Sequence, residues 1–193
     1  MHTTLFFSIA LTLSAHILSA QCLSGHYSIG ASGADYPGIQ AALDDLTAKG
    51  WSDTVFFNIQ PGVYEEQIVT SAGPWSSSCF AIVPVIIRKD PVLTGDVTIN
   101  WPAGNGGAGN FALRLSGSGL LEFEHIHFAR SGGDPQSAHR RIIESESSNA
   151  VFRHCVFVGP TLDEPTAQAQ ETTAHLVALS GLATFDDCRF EGG

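Results

Sequence analysis

The sequence predicts an all-β chain folded as a solenoid of stacked parallel strands, and three observations carry that prediction. One pattern recurs near the C-terminal end, short β-rich runs broken by Pro, Gly and Ser fill most of the rest, and a single stretch has helical periodicity. The chain has 193 residues and is 44% hydrophobic, enough for one sizeable core. Nine Lys and Arg stand against 19 Asp and Glu, a net charge of −10 that repels phosphate backbones and anionic membranes, so nucleic acid is excluded as a partner.

The opening "MHTTLFFSIALTLSAHILSAQC" has a short polar start, an apolar run from Leu5 to Leu18 and small residues at Ser19 and Ala20. It reads as a signal peptide over residues 1–20, cleaved before Gln21. The run is too short and interrupted for a transmembrane anchor, and Gln21 stands before Cys22 where a lipid-modified Cys would follow directly. Residues 21–193 are then expected as one exported domain, secreted or at the cell surface, where cysteines oxidise.

In "ADYPGIQAALDDLTAKG", Asp35 is expected as N-cap and Pro37 in the first turn. Ile39, Leu43 and Leu46 lie at helical spacing, and Gly50 is the stop. Strands are expected over Val55–Ile59, Val83–Arg88 and Val97–Trp101. The repeats follow: "LLEFEHIHFA" from Leu120, "NAVFRHCVFV" from Asn149 and "LATFDDCRFE" from Leu182. In each, a Phe (Phe123, Phe152, Phe185) is followed three residues on by Ile126, Cys155 or Cys188, and five on by a second Phe (Phe128, Phe157, Phe190). Period-two alternation cannot bury both the first Phe and a residue three further on, so a bend separates them. His125, His154 and Asp187 occupy that bend, and these are residue types that tolerate left-handed backbone. The repeat length of about 30 residues suits one solenoid coil, with strands paired in parallel from coil to coil.

This pattern resembles the right-handed parallel β-helix of the pectin lyase-like proteins. The stretches "DYPGIQAAL" and "IQPGVYEEQI" are similar to the start of pectinesterases and of large secreted bacterial β-helix proteins, in which a helix closes the open end. The resemblance implies a solenoid of about 4–5 coils with an N-terminal capping α-helix and an uncapped C-terminal end. In pectinesterases a C-x-F-x-G coil is followed, after one spacer, by a catalytic Gln-Asp pair. Cys188, Phe190 and Gly192 match that pattern and Gly193 fills the spacer. The family's Q-A-V-A-L strand is met by "HLVAL", with His175 in place of Gln. Cys155, Phe157 and Gly159 also match, but Pro160, Thr161 and Leu162 follow, so the motif marks a coil rather than an active site.

No catalytic residue is assignable within residues 21–193, and no cofactor is implied. Asp44 with Asp45, Glu65 with Glu66, and Asp186 with Asp187 are sequence neighbours, which on a strand point to opposite faces and make poor cation sites. His125, His154 and Asp187 align in one column, but the left-handed bend alone accounts for them and no metal site is expected. His127 faces solvent without a role. Glu124, Arg153 and Asp186 form a charge-alternating column that specifies register. Cys155 and Cys188 share an inward column, where a disulfide and two reduced buried thiols both remain open. Cys22 and Cys79 are expected to bridge the N-terminal segment to the first coils, on the strength of export, since spacing does not fix connectivity. The loops from Ala129 and from Gly159 are polar connections of the kind that shape ligand grooves on solenoids.

Two functions follow. One is a secreted or cell-surface module that displays or binds, with a polysaccharide as the implied ligand and no complete active site. The other is the N-terminal half of a pectinesterase-like carbohydrate esterase or polysaccharide lyase whose catalytic residues lie beyond Gly193. The chain is expected to be a truncated product, associating edge to edge through its last strands.

Overall fold

The structure, a computed structural model, describes residues 22–70, 79, 82–102, 111–117, 120–131, 141–146, 149–159, 177–179 and 182–191. The expected signal peptide over residues 1–20, Gln21, His175, Gly192, Gly193 and most of both polar loops lie outside these residues. β1 (Leu23–Ile29) precedes α1 (Ile39–Lys49). The chain then winds through β2 (Trp51–Ile59), β3 (Gly62–Tyr64) and β4 (Ile68–Val69), and through β5 (Val85–Lys89), β6 (Val97–Asn100) and β7 (Phe111–Ser116). β8 (Leu120–Glu124), β9 (Ile126–Ala129) and β10 (Arg141–Glu146) follow, then β11 (Asn149–Arg153), β12 (Val156–Val158) and β13 (Val177–Leu179), and finally β14 (Leu182–Asp186) and β15 (Arg189–Glu191).

The first strands of successive coils form a six-stranded sheet in the order β1-β2-β5-β8-β11-β14. Second strands form a five-stranded sheet, β3-β6-β9-β12-β15, and third strands a four-stranded one, β4-β7-β10-β13. Every pairing is parallel. The chain is therefore a parallel β-solenoid of about 4 turns, with its one described helix near the N-terminal end. None of the described helices is long and apolar enough to cross a membrane.

The core follows from alternation. Phe57, Ile87, Phe123, Phe152 and Phe185 are register partners along the six-stranded sheet and point inward. Phe123 stacks on Phe152 and Phe152 on Phe185, each at 5.1 Å between ring centroids. The second column, Phe128, Phe157 and Phe190, stacks at 5.3 and 4.9 Å, and the two columns meet edge to face. Offset-stacked and edge-to-face pairs add about 0.5–1.5 kcal/mol each beyond area burial.

The bend between the columns has the predicted form. His125, His154 and Asp187 have φ of 54°, 52° and 49°, and they are the non-glycine residues with positive φ among those described. The amides of His125 and His154 still donate to Arg153 and Asp186 of the next coil, at 3.0 and 2.9 Å, so the ladder passes the corner unbroken.

The helix start departs from expectation. Gly38, not Asp35, is the N-cap residue, and Pro37 lies before the first turn. The cap is supplied from the first coil: the Glu66 carboxylate accepts from the Ile39 and Gln40 amides at 3.2 and 2.9 Å. A Cβ on Gly38 would sit 2.5 Å from Glu66 Oε1, so the carboxylate reaches the helix because residue 38 has no side chain. Asp35 instead accepts from the Ser28 amide and hydroxyl at 2.7 and 2.8 Å, and these bonds hold its carboxyl below the usual range. Gly50 ends the helix as expected, with φ 69° and its amide on Leu46.

Two further contacts fasten the N-terminal end. Cys22 and Cys79 form a disulfide, with Cα atoms 5.6 Å apart. The Gln40 side-chain amide donates to the Val69 carbonyl at 3.0 Å and accepts from its N–H at 2.8 Å, standing in for a neighbouring strand beside β4. An edge paired in this way offers no template to another chain.

Candidate functional site

Residues of the six-stranded sheet that alternate with the core columns form its outer face. On the first three strands, His26 and Phe56 are register partners whose rings stack at 4.5 Å and 9°. The Arg88 guanidinium lies over Phe56, 4.8 Å from the ring centroid. Asn58 ties the group together: it accepts from Arg88 Nε at 2.9 Å, and its Nδ2 lies 3.4 Å from His26 Nδ1. Arg88 thereby holds a fixed orientation on an aromatic surface, a cation–π arrangement worth about 0.5–1 kcal/mol when exposed. His26 is exposed, and Phe56, Asn58 and Arg88 are half-buried.

The other half of the face carries the charged column. Arg153 pairs with Asp186 at 2.7 Å, and on its other side reaches Glu122 at 3.8 Å rather than its register partner Glu124. The predicted register is present, with the second contact moved two residues along β8. Such exposed pairs contribute about 0.2–1 kcal/mol each.

At the corner, the His125 and His154 rings stack at 4.8 Å and 13°, and His154 Nδ1 lies 3.0 Å from Asp187 Oδ2. The column is real, but its geometry does not suit a shared ion. Ring lone pairs lie in the ring planes, so parallel imidazoles present parallel lone pairs, whereas a zinc ion needs nitrogens converging to about 2.0–2.1 Å from one point. Among the described residues, no group of three His, Cys, Asp or Glu is arranged to hold a metal.

None of the acidic pairs lies within a strand, so alternation does not govern them: Asp44 and Asp45 are in α1, Glu65 and Glu66 lie between β3 and β4, and Asp187 is the bend residue after β14. Asp44 accepts from Gln40 at 2.8 Å, while Asp45 accepts from Tyr36 and Lys49 at 2.7 and 2.8 Å. Burial would raise the Asp45 carboxyl, but the bonds from Lys49 and Tyr36 outweigh it and the net direction is down. Burial, together with the Asp45 bond, pushes the Tyr36 hydroxyl well above its ordinary value. Glu66 caps α1, and Asp186 and Asp187 serve Arg153 and His154.

Cys155 and Cys188 are both free thiols, Cys155 buried and Cys188 half-buried. Each Sγ lies 3.4 Å from a phenylalanine carbonyl of the coil before, Cys155 from Phe123 and Cys188 from Phe152. Burial pushes the Cys155 thiol up to about 12.

Comparison with protein-family models, curated proteins and solved structures found no match. The fold therefore stands on its own strand register. The stack of His26, Phe56 and Arg88 was not anticipated from sequence. Its signal is the outward phase of "LSGHYSI", "VFFNI" and "VIIR", which becomes a column only once the register of β1, β2 and β5 is known.

Proposed function

We propose that this chain is an exported β-solenoid of the pectin lyase-like type whose six-stranded outer face binds carbohydrate without converting it. The observation that carries this is the preorganised group of His26, Phe56, Asn58 and Arg88, in which flat rings and fixed amide and guanidinium donors lie side by side on an open sheet. Sugars present apolar C–H faces ringed by hydroxyls, and protein sites for such ligands combine apolar surface with a few fixed polar groups. The net charge of −10 repels polyanions, so a neutral glycan fits better than a polyuronate. Export is supported by the leader-like residues 1–20 and by the Cys22–Cys79 disulfide, a bond that persists in oxidising compartments. Exposure of Leu182 and Phe190 supports association of β14 and β15 with a further strand.

Affinity electrophoresis through gels containing neutral or acidic polysaccharides tests the reading. Retardation is expected in a neutral glycan, lost in Phe56→Ala and Arg88→Ala, with no release of reducing ends or ester groups. Equal mobility in every gel would refute carbohydrate binding. A second reading, the N-terminal part of a carbohydrate esterase, is supported by the match of Cys188, Phe190 and Gly192 to the coil that precedes a catalytic Gln-Asp pair. Ester hydrolysis by a longer form of the chain would favour it.

A further inference from the structure

Cys155 and Cys188 follow consecutive left-handed bends and occupy successive rungs of one inward column. The Arg189 amide donates to the Cys155 carbonyl at 2.9 Å, so the two coils are in register at this point. Paired strands lie about 4.8 Å apart, inside the Cα separation of about 4.4–6.8 Å that a disulfide spans. The thiols differ in access: Cys155 is 1% exposed, and Cys188 is half-buried. They also lean the same way. Cys188 Sγ is directed at Phe152, in the coil that carries Cys155, while Cys155 Sγ is directed away from Cys188 towards Phe123. A side-chain rotation that turns Cys155 towards Cys188 gives up only weak S–H···O contacts, those with the Phe123 and Arg153 carbonyls, each at 3.4 Å.

We infer that Cys188 and Cys155 form a dithiol that reacts with low-molecular-weight disulfides, Cys188 first, and closes into a bridge between consecutive coils. In the first step Cys188 releases its proton, and its thiolate attacks one sulfur of the small disulfide. A Cys188–sulfur bond forms, the original S–S bond breaks, and the departing thiolate takes up a proton. In the second step Cys155 loses its proton and attacks Cys188 Sγ, forming the inter-coil disulfide and expelling the second small thiol. The protein loses two electrons and two protons, and the small disulfide becomes two thiols. Because burial holds the Cys155 thiol up to about 12, its thiolate is scarce at neutral pH and the second step is the slow one.

The experiment treats the folded protein, its Cys22–Cys79 bond intact, with oxidised glutathione and follows intact mass, thiol titration and peptide mapping. The wild type should pass through a single glutathione adduct on Cys188 and then lose both thiols together with the adduct. That closing step should quicken about tenfold per pH unit between neutrality and mild alkali. Cys155→Ser should stop at the adduct, and Cys188→Ser should take up none while folded. A mature wild-type adduct that never resolves, a disulfide between two chains, or Cys155 reacting in the Cys188→Ser variant as fast as Cys188 does in wild type would each overturn the inference.

Discussion

The corner between the six- and five-stranded sheets is turned in two ways. After β8, β11 and β14 it takes one left-handed residue, His125, His154 or Asp187. After β2 the chain passes through Gln60 and Pro61, and after β5 it makes a longer excursion from Asp90 to Asp96, using Gly95 at φ 106°. The consequence is visible inside. Identical corners place identical side chains above one another, and the later coils stack phenylalanine on phenylalanine at 4.9–5.3 Å. Unequal corners give no such repetition: the inward column of the earlier coils runs Tyr27, Phe57, Ile87, with Tyr27 tilted 41° to Phe57 at 5.9 Å. The earlier coils are held instead by particular fastenings, namely the disulfide, the Glu66 cap and the Gln40 pairing. A solenoid wall can be stabilised by repetition or by staples, and this chain uses one in each half.

The sharpest way to break that comparison is to remove one rung. Phe152 contacts phenylalanines in the coils on both sides, so Phe152→Ala should cost about 3–5 kcal/mol in urea unfolding. A cost below that of Cys22→Ser/Cys79→Ser would reverse the assignment of strength. The double Ser variant deletes a cross-link over a sequence separation of 57 and should lose about 2–4 kcal/mol. Amide exchange should quicken in β1 and β2 and change little in β11. Glu66→Ala should cost about 1 kcal/mol, read as earlier unfolding of α1 by far-UV circular dichroism. Smallest of all, Arg153→Ala should cost under about 1 kcal/mol, because its pair with Asp186 is solvent-exposed. If Arg153 proved more sensitive than Phe152, the inward and outward phases of β11 would have to be exchanged.

The same contrast explains what the sequence disclosed. The later coils were legible because a one-residue corner preserves spacing: Phe, bend residue, Ile or Cys, and second Phe fall at fixed offsets, so gapless comparison aligns them. In the earlier coils only β2, β5, β6 and the helix were legible, with boundaries shifted by up to four residues, as at Trp51, whereas β1, β3, β4 and β7 were not marked as separate strands. The helix cap was misassigned to Asp35 because Ser, Thr, Asp and Asn are the local cap formers, whereas the actual cap arrives from Glu66, far along the chain and through a Gly38 gap that single-sequence reading does not show. Gln40 as a surrogate strand and Arg88 on Phe56 were hidden for the same reason, since both depend on register between coils without a shared motif.

The central claim is that the bend residues are present for backbone conformation, and that this conformation lets the phenylalanine columns form. The most direct measurement compares the unfolding free energies of wild type, His154→Gly and His154→Val. The account predicts that Gly, which adopts positive φ freely, is close to wild type, while Val loses at least about 1–2 kcal/mol. If Gly lost as much as Val, the His125 stack and the Asp187 contact would be holding the corner, and the conformational account would be contradicted.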